Sequence, residues 1–146
     1  MSNLTYTRML SEYDIDIPRL ITIYKTPEIA RYLSISENYF HYVTNTANVF
    51  FYKVYENNEM VASIHLEKQE AILFMSIMVF PEFQRNGLGT KIIKDIQNNI
   101  SGLDYERIEV SIDERNTASI KLFENAGFIR TSNEDELMIF VYQKKD

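Results

Sequence analysis

The chain has 146 residues, a formal net charge of −6, and a composition that is 45% hydrophobic and 25% charged. That suits one domain with a buried core, and the acidic sum is a poor match to a nucleic-acid backbone, which recruits clustered Lys and Arg. With no cysteine and only His41 and His65 as histidines, disulfides, thiolate nucleophiles, cysteine-ligated zinc and a histidine-rich metal centre drop out.

The opening MSNLTYTRML lacks a basic stretch followed by an apolar one, and no run nears ~18 apolar residues. The expected location is therefore the cytoplasm, with no membrane partner. Leu4 to Met9 reads as a short strand. Ile15, Leu20, Ile21 and Tyr24 recur at helical spacing within Asp14–Lys25, and Pro18 stands early, where a helix tolerates it. Pro27 resets the chain, and further helical stretches are expected over Pro27–Leu33 and Glu37–Thr44. VFFYKVYE, Val49 to Glu56, is rich in aromatic and β-branched residues and reads as a strand. Asn57-Asn58 turns it into a second strand, Met60–Glu67, with Val61, Ser63, His65 and Glu67 on one face.

AILFMSIMVF, Ala71 to Phe80, is apolar apart from Ser76, which predicts a central strand buried on both sides. Leu88, Ile92, Ile93, Ile96 and Ile100 space a helix, with Gly102 as its stop. Arg107–Ile112 alternates as a strand, Asn116–Asn125 is a helix closed by Gly127, and Phe128–Thr131 with Glu136–Lys144 form a hairpin across SNED. Strand–helix–strand from Ala71 to Ile112 implies a parallel pair with a right-handed crossover.

The most informative segment is Val79-Phe80-Pro81-Glu82-Phe83-Gln84-Arg85-Asn86-Gly87-Leu88-Gly89-Thr90. A buried strand stops at a proline, and a polar loop with two glycines feeds a helix. The first turn of a helix has backbone N–H groups without internal partners and carries partial positive charge. Glycines let an anion approach the backbone, Arg85 adds a forked cation, and Thr90 adds a hydroxyl donor. GxxxxGK[ST] and GxGxxG both fail here, the latter because its third glycine position is Ile92. A turn that uses glycine for geometry alone is the plainer reading of the same residues.

Gln84-Arg85-Asn86-Gly87-Leu88-Gly89 resembles the Q/R-x-x-G-x-G/A signature of the GNAT (GCN5-related N-acetyltransferase) family. Asn116-Thr117-Ala118-Ser119-Ile120-Lys121-Leu122-Phe123-Glu124-Asn125-Ala126-Gly127-Phe128 is similar to its N-x-x-A-x-x-L-Y-E-x-x-G-F segment. The resemblance implies a single α/β domain over residues 1–146, with a mixed parallel and antiparallel sheet splayed between two middle strands and helices on both faces. It implies acetyl-CoA as co-substrate, no metal, and transfer of acetyl to a primary amine of a small molecule or peptide in a ternary complex. Homodimers are common in such folds. By matching position, the backbone of Ile77, Met78 and Val79 would meet the acetyl end and pantetheine. The Ile77 N–H would stabilise the oxyanion. Gln84 and Arg85 through Asn86, Gly87, Leu88, Gly89 and Thr90 would hold the pyrophosphate. Asn116 would bond the pantetheine arm, with Ser119 and Phe123 beside it.

Phe123 departs from the family, whose usual residue there is a tyrosine acting as general acid. Tyr142 is a substitute candidate. A free thiolate could also leave unaided, since a thiol pKa is about 8.5. Ser111 stands where family members that acetylate protein N-termini often place a glutamate. His65 and Glu67 are the candidates for the base; a merely solvated strand face is the plain alternative. Tyr32, Tyr39, Phe40, Tyr42, Phe51 and Tyr52 could line an acceptor pocket or serve as core. Phe123 keeps open a second function on the same fold, an acyl-CoA-binding or sensing module without transfer.

Overall fold

The computed structural model describes residues 3–145. Along the chain run β1 (Leu4–Arg8), α1 (Ile17–Tyr24), α2 (Pro27–Ala30), α3 (Tyr39–Asn45), β2 (Val49–Glu56), β3 (Glu59–Gln69) and β4 (Ile72–Val79). A single 3₁₀ turn at Pro81–Phe83 precedes α4 (Leu88–Gln97), β5 (Arg107–Asp113), α5 (Thr117–Asn125), β6 (Ile129–Glu134) and β7 (Leu137–Gln143). The strands form one mixed seven-stranded sheet in the order β1-β2-β3-β4-β5-β7-β6. Every strand and helix expected from the residue pattern is present.

Two compact units can be described separately: the described residues up to Leu66 with Ile77–Gln84, and Glu67–Ser76 with the described residues from Arg85 onward. The first unit buries Met9, Leu20, Tyr24, Phe40, Val43, Phe51, Met60, Met78 and Phe80 in one cluster. β1 lies antiparallel on β2, from Leu4↔Glu56 to Arg8↔Tyr52. Phe40 and Phe51 are core residues here, their rings edge-on at 5.6 Å, so they do not line a pocket. Tyr52 is half-buried opposite Arg8 in the β1–β2 ladder, on the other face of β2 from Phe51, because successive strand residues point opposite ways.

In the second unit β4 and β5 are parallel from Ile72↔Arg107 to Phe74↔Glu109. β5 is antiparallel to β7 along its whole length, and β7 to β6. The β6 ladder slips between Arg130 and Ser132, a bulge, and every β6 residue is exposed. α4 buries Leu88, Ile92, Ile93 and Ile96, a single stripe at helical spacing. At roughly 1.5–3 kcal/mol per buried aliphatic side chain, that stripe outweighs any intrinsic helix preference.

Several details differ from expectation. α4 stops at Gln97 rather than Ile100, because Asn99 takes the left-handed conformation (φ 66°) ahead of Gly102 (φ 74°); asparagine tolerates that region better than most residues. The last hairpin turns at Asp135 (φ 56°), so Ser132, Asn133 and Glu134 of the expected turn lie in β6. β4 alternates between buried and half-buried residues rather than burying both faces completely.

Candidate active site

The loop before α4 is built by backbone conformation. Arg85 has φ 70° and Gly87 φ 76°, with Asn86 between them outside the positive region. Alternation of this kind turns successive N–H groups toward one side, forming a small concavity for an anion. Arg85 in the left-handed region carries a strain of roughly 1–2 kcal/mol that a glycine there would avoid. Gly87 is also the N-cap of α4; no side chain caps this end and no acidic residue stands in the first turn. The N-terminus of α4 therefore keeps its donors and its partial positive charge without a carboxylate of its own to offset them. Arg85, Asn86 and Gly87 are exposed, Thr90 and Gly89 half-buried, and Leu88 buried. Leu88 is thus an anchor for the helix, its side chain turned away from solvent.

Gly89 has a second reason to be glycine. A Cβ there would sit 3.0 Å from Leu122 Cδ2 on α5, so this residue lets the two helices approach closely. In the first unit, Gln84 donates from Nε2 to the Val79 carbonyl at 3.0 Å, tying the 3₁₀ turn back onto the end of β4. Phe80 N–H donates to the Val61 carbonyl at 3.0 Å, so β3 and β4 are still paired where the chain leaves the sheet. Ile77 and Val79 are half-buried and Met78 is buried.

α5 begins differently. Asn116 is its N-cap, and its Oδ1 accepts from the Ser119 N–H at 3.2 Å. Phe123 is buried and meets Phe128 edge-on at 5.1 Å; Phe128 in turn lies 5.6 Å from Tyr142. Phe123 and Tyr142 therefore flank one aromatic residue. Ser111 is exposed on β5.

The strand face of His65 is covered, contrary to the solvated reading. Ser63 is buried, and His65 and Glu67 are half-buried. His65 Nδ1 and Tyr39 Oη share a hydrogen bond of 2.6 Å, and the Tyr42 ring stands 6.4 Å from the imidazole. The Tyr24 and Tyr39 rings meet edge-on at 6.1 Å, and Tyr24 Oη lies 3.5 Å from Ser63 Oγ. Burial pushes the Tyr24 phenol above its ordinary value, while its bonds to Ser63 and Tyr39 act in the opposite direction. Tyr24 was legible only as a helix position, and Ser63 only as a polar residue on a strand. Their one signal is a hydroxyl at a core position, which needs a partner.

A second polar group in this unit is structural. Buried Lys53 donates to both Asp14 carboxylate oxygens at 3.0 and 2.8 Å, and to Asp16 Oδ2 at 2.9 Å; Tyr55 donates to the same Asp16 oxygen. Burial opposes the charge on Lys53, but the hydrogen bonds it donates to two carboxylates outweigh it and raise its pKa. Among the described residues no group of His, Asp or Glu is placed to hold a metal ion, and no helix is long and apolar enough to cross a membrane.

No curated protein sequence matches the chain, but solved structures share its fold. A domain from Methanocaldococcus jannaschii superposes with a TM-score of 0.83 at 19% identity, covering 98% of this chain and 99% of that one. The aminoglycoside acetyltransferase AAC(6')-Ib, solved with paromomycin and acetyl-CoA, gives 0.81 at 17% identity over 97% and 94%. The ribosomal-protein-S18-alanine N-acetyltransferase of Escherichia coli gives 0.76 at 18% identity over 99% and 96%. The acetyltransferase (GNAT) domain model matches residues 25–140, a span that takes in both the phosphate-type loop and the Asn116 helix, and the chain belongs to the GNAT acetyltransferase family.

Proposed function

We propose that this chain is an N-acetyltransferase that moves the acetyl group of acetyl-CoA to a primary amine of a small molecule or peptide. The observation that carries the reading is the loop Arg85–Gly87. Its φ values change sign from residue to residue and it opens into a helix whose N-terminus has no side-chain cap. A diphosphate fits such a place because backbone donors, the helix field and the Arg85 guanidinium all act on the same charge. Gln84 belongs to this reading as the tie that holds the loop entry, and Thr90 as a hydroxyl donor.

The amine must be neutral to attack the thioester carbonyl. Negative charge then gathers on the acetyl oxygen, and the Ile77 N–H is the donor assigned to it. Backbone groups of Met78 and Val79 serve the pantetheine amides, as do Asn116 through its Nδ2 donors and Ser119. Phe123 contributes packing and no proton, so the CoA sulfur leaves as a thiolate, which a thiol pKa of about 8.5 permits, or takes its proton from Tyr142. Structural neighbours described as an aminoglycoside acetyltransferase and a ribosomal-protein-S18-alanine N-acetyltransferase make aminoglycoside amines and a protein alanine amine the first acceptors to try. We place the activity in the cytoplasm, where acetyl-CoA is available to it.

Calorimetric titration with acetyl-CoA tests the reading. Micromolar binding by the wild type, weakened about tenfold by Arg85→Ala, is expected for one lost charge-assisted contact. A folded wild type that does not bind acetyl-CoA sinks it. Gly89→Trp is a poor probe, because the Leu122 contact makes it a packing change as well.

A further inference from the structure

Asn86 is the only asparagine of the chain that is followed by glycine, and the pair lies inside the phosphate-type loop. Asparagine is among the thermolabile residues. Asn86 and Gly87 are both exposed and stand outside any helix or strand. Gly87 is the N-cap of α4, so its N–H precedes the helical ladder and has no partner within the helix. Its φ is 76°, and a Cβ placed on it would meet no atom within 4 Å. Among the described residues the Asn86 amide makes no hydrogen bond that would hold it away from the next peptide group.

From these observations we infer that Asn86 is a site of spontaneous deamidation, and that the carboxylate formed there lowers the affinity of the loop for acetyl-CoA. The bearing on acetyl-CoA rests on the acetyl-transfer reading. The Gly87 nitrogen, having given its proton to hydroxide, attacks Cγ of Asn86. A C–N bond closes a cyclic imide, the Cγ–Nδ2 bond breaks, and Nδ2 leaves as ammonia with a proton from water. A second water opens the ring at either carbonyl, giving aspartate or isoaspartate. Only water and hydroxide are consumed, and no electron changes hands.

The loop favours this step in two ways. The attacking nitrogen carries negative charge, and the N-terminus of α4 and the neighbouring Arg85 both favour an anion there. The nitrogen also belongs to a glycine, which has no side chain to screen it. The exposed turn residues Asn57, Asn58 and Asn99 precede Asn58, Glu59 and Ile100, whose side chains do screen theirs.

Fold and ligand respond to the product in opposite senses. The first turn of α4 has no acidic residue, so a carboxylate one residue ahead of its N-cap is favourable to the helix. The same carboxylate stands where the diphosphate charge would be met, and like charges repel. A bound diphosphate in turn engages the N–H groups of the loop and opposes closure of the ring. Acetyl-CoA is thus both what the modification weakens and what delays it.

The test ages the full chain at mildly alkaline pH with and without coenzyme A, which keeps the diphosphate and lacks the labile thioester. Peptide mass spectrometry maps the converted asparagines, and acetyl-CoA is titrated calorimetrically into fresh and aged protein. Asn86 is expected to convert ahead of Asn57, Asn58 and Asn99, and coenzyme A is expected to slow its conversion and not theirs. Asn86→Asp is expected to keep the thermal stability of the wild type and to bind acetyl-CoA about tenfold more weakly or worse. Asn86→Gln, whose amide is one carbon further from the nitrogen, is expected to hold its own starting affinity through the ageing. Conversion of another asparagine first overturns the inference. So does conversion of Asn86 at one rate with and without coenzyme A, or an unchanged affinity in Asn86→Asp. Should Asn86→Asp fail to fold, aged wild type that is converted at Asn86 and binds as tightly as fresh protein is decisive against it. Fresh wild type that does not bind acetyl-CoA is a different result: it removes the acyl-CoA reading and the control of affinity with it, while the map made without ligand still decides whether Asn86 converts.

Discussion

The loop at Arg85–Thr90 and the His65 line are built in opposite ways. The first is made mostly of main chain: two left-handed residues and a helix end with no side-chain cap. The second is made of side chains: Tyr39 of α3 hydrogen-bonds His65 of β3, and Tyr24 of α1 lies within 3.5 Å of Ser63 on the same strand. A backbone cradle spreads its donors over many peptide groups, so no single side chain carries it. A side-chain hydrogen bond depends on both of its members. Graded damage is expected in the first region and collapse in the second.

The largest expected effect is on turnover, from His65→Gln at the candidate base, about 10²-fold or more in kcat; a loss of only a few-fold there would erase the contrast. Next is Lys53→Met, which leaves Asp14 and Asp16 without their cation in the unit that carries His65. It is expected to cost about 3 kcal/mol in urea unfolding, and the acetyl-CoA affinity of the remaining folded protein should not change. Arg85→Ala comes third, at about tenfold in acetyl-CoA affinity; a complete loss would mean that the cradle depends on one side chain after all. Asn116→Ala removes the α5 cap and is expected to cost about 1 kcal/mol of stability, read from the denaturant midpoint.

The smallest effect is in acid. The side-chain hydrogen bonds from Arg115 hold Asp113 at about 2, and those from Lys53 lower Asp16. Carboxylates with depressed folded values stabilise above their unfolded pKa, about 3.9, and lose that contribution as the pH falls through the folded value. Unfolding followed from pH 5 to pH 2 should therefore show a decline that begins near pH 4, with Arg115→Ala removing the Asp113 share.

Legibility follows the same division. The turn into α4 could be read in part from its glycines: left-handed Gly87 is where glycine is expected, whereas left-handed Arg85 gave no such signal. The sheet could be read because alternation in Val49–Glu56 and Arg107–Ile112 and the stripe of α4 are local periodicities. The Tyr39–His65 bond joins residues 26 apart, and Tyr24 with Ser63 are 39 apart; no local period links them. Phe40 and Phe51 looked the same as Tyr39 and Tyr42 until packing separated core rings from those around the imidazole. The α4 end was missed because Asn99 did the work assigned to glycine.

The slip in the β6 ladder bears on the behaviour of the protein at high concentration. β6 ends the strand order with every residue exposed, Ile129 and Leu137 flank its hairpin, and Arg130 and Glu134 are on it. A straight strand of that kind would offer a template for another chain to add on. The irregularity between Arg130 and Ser132 twists the rim out of register with any flat partner, and the charges penalise close approach. The bulge thereby acts as a guard against open-ended stacking, and protects solubility independently of any chemistry the fold performs.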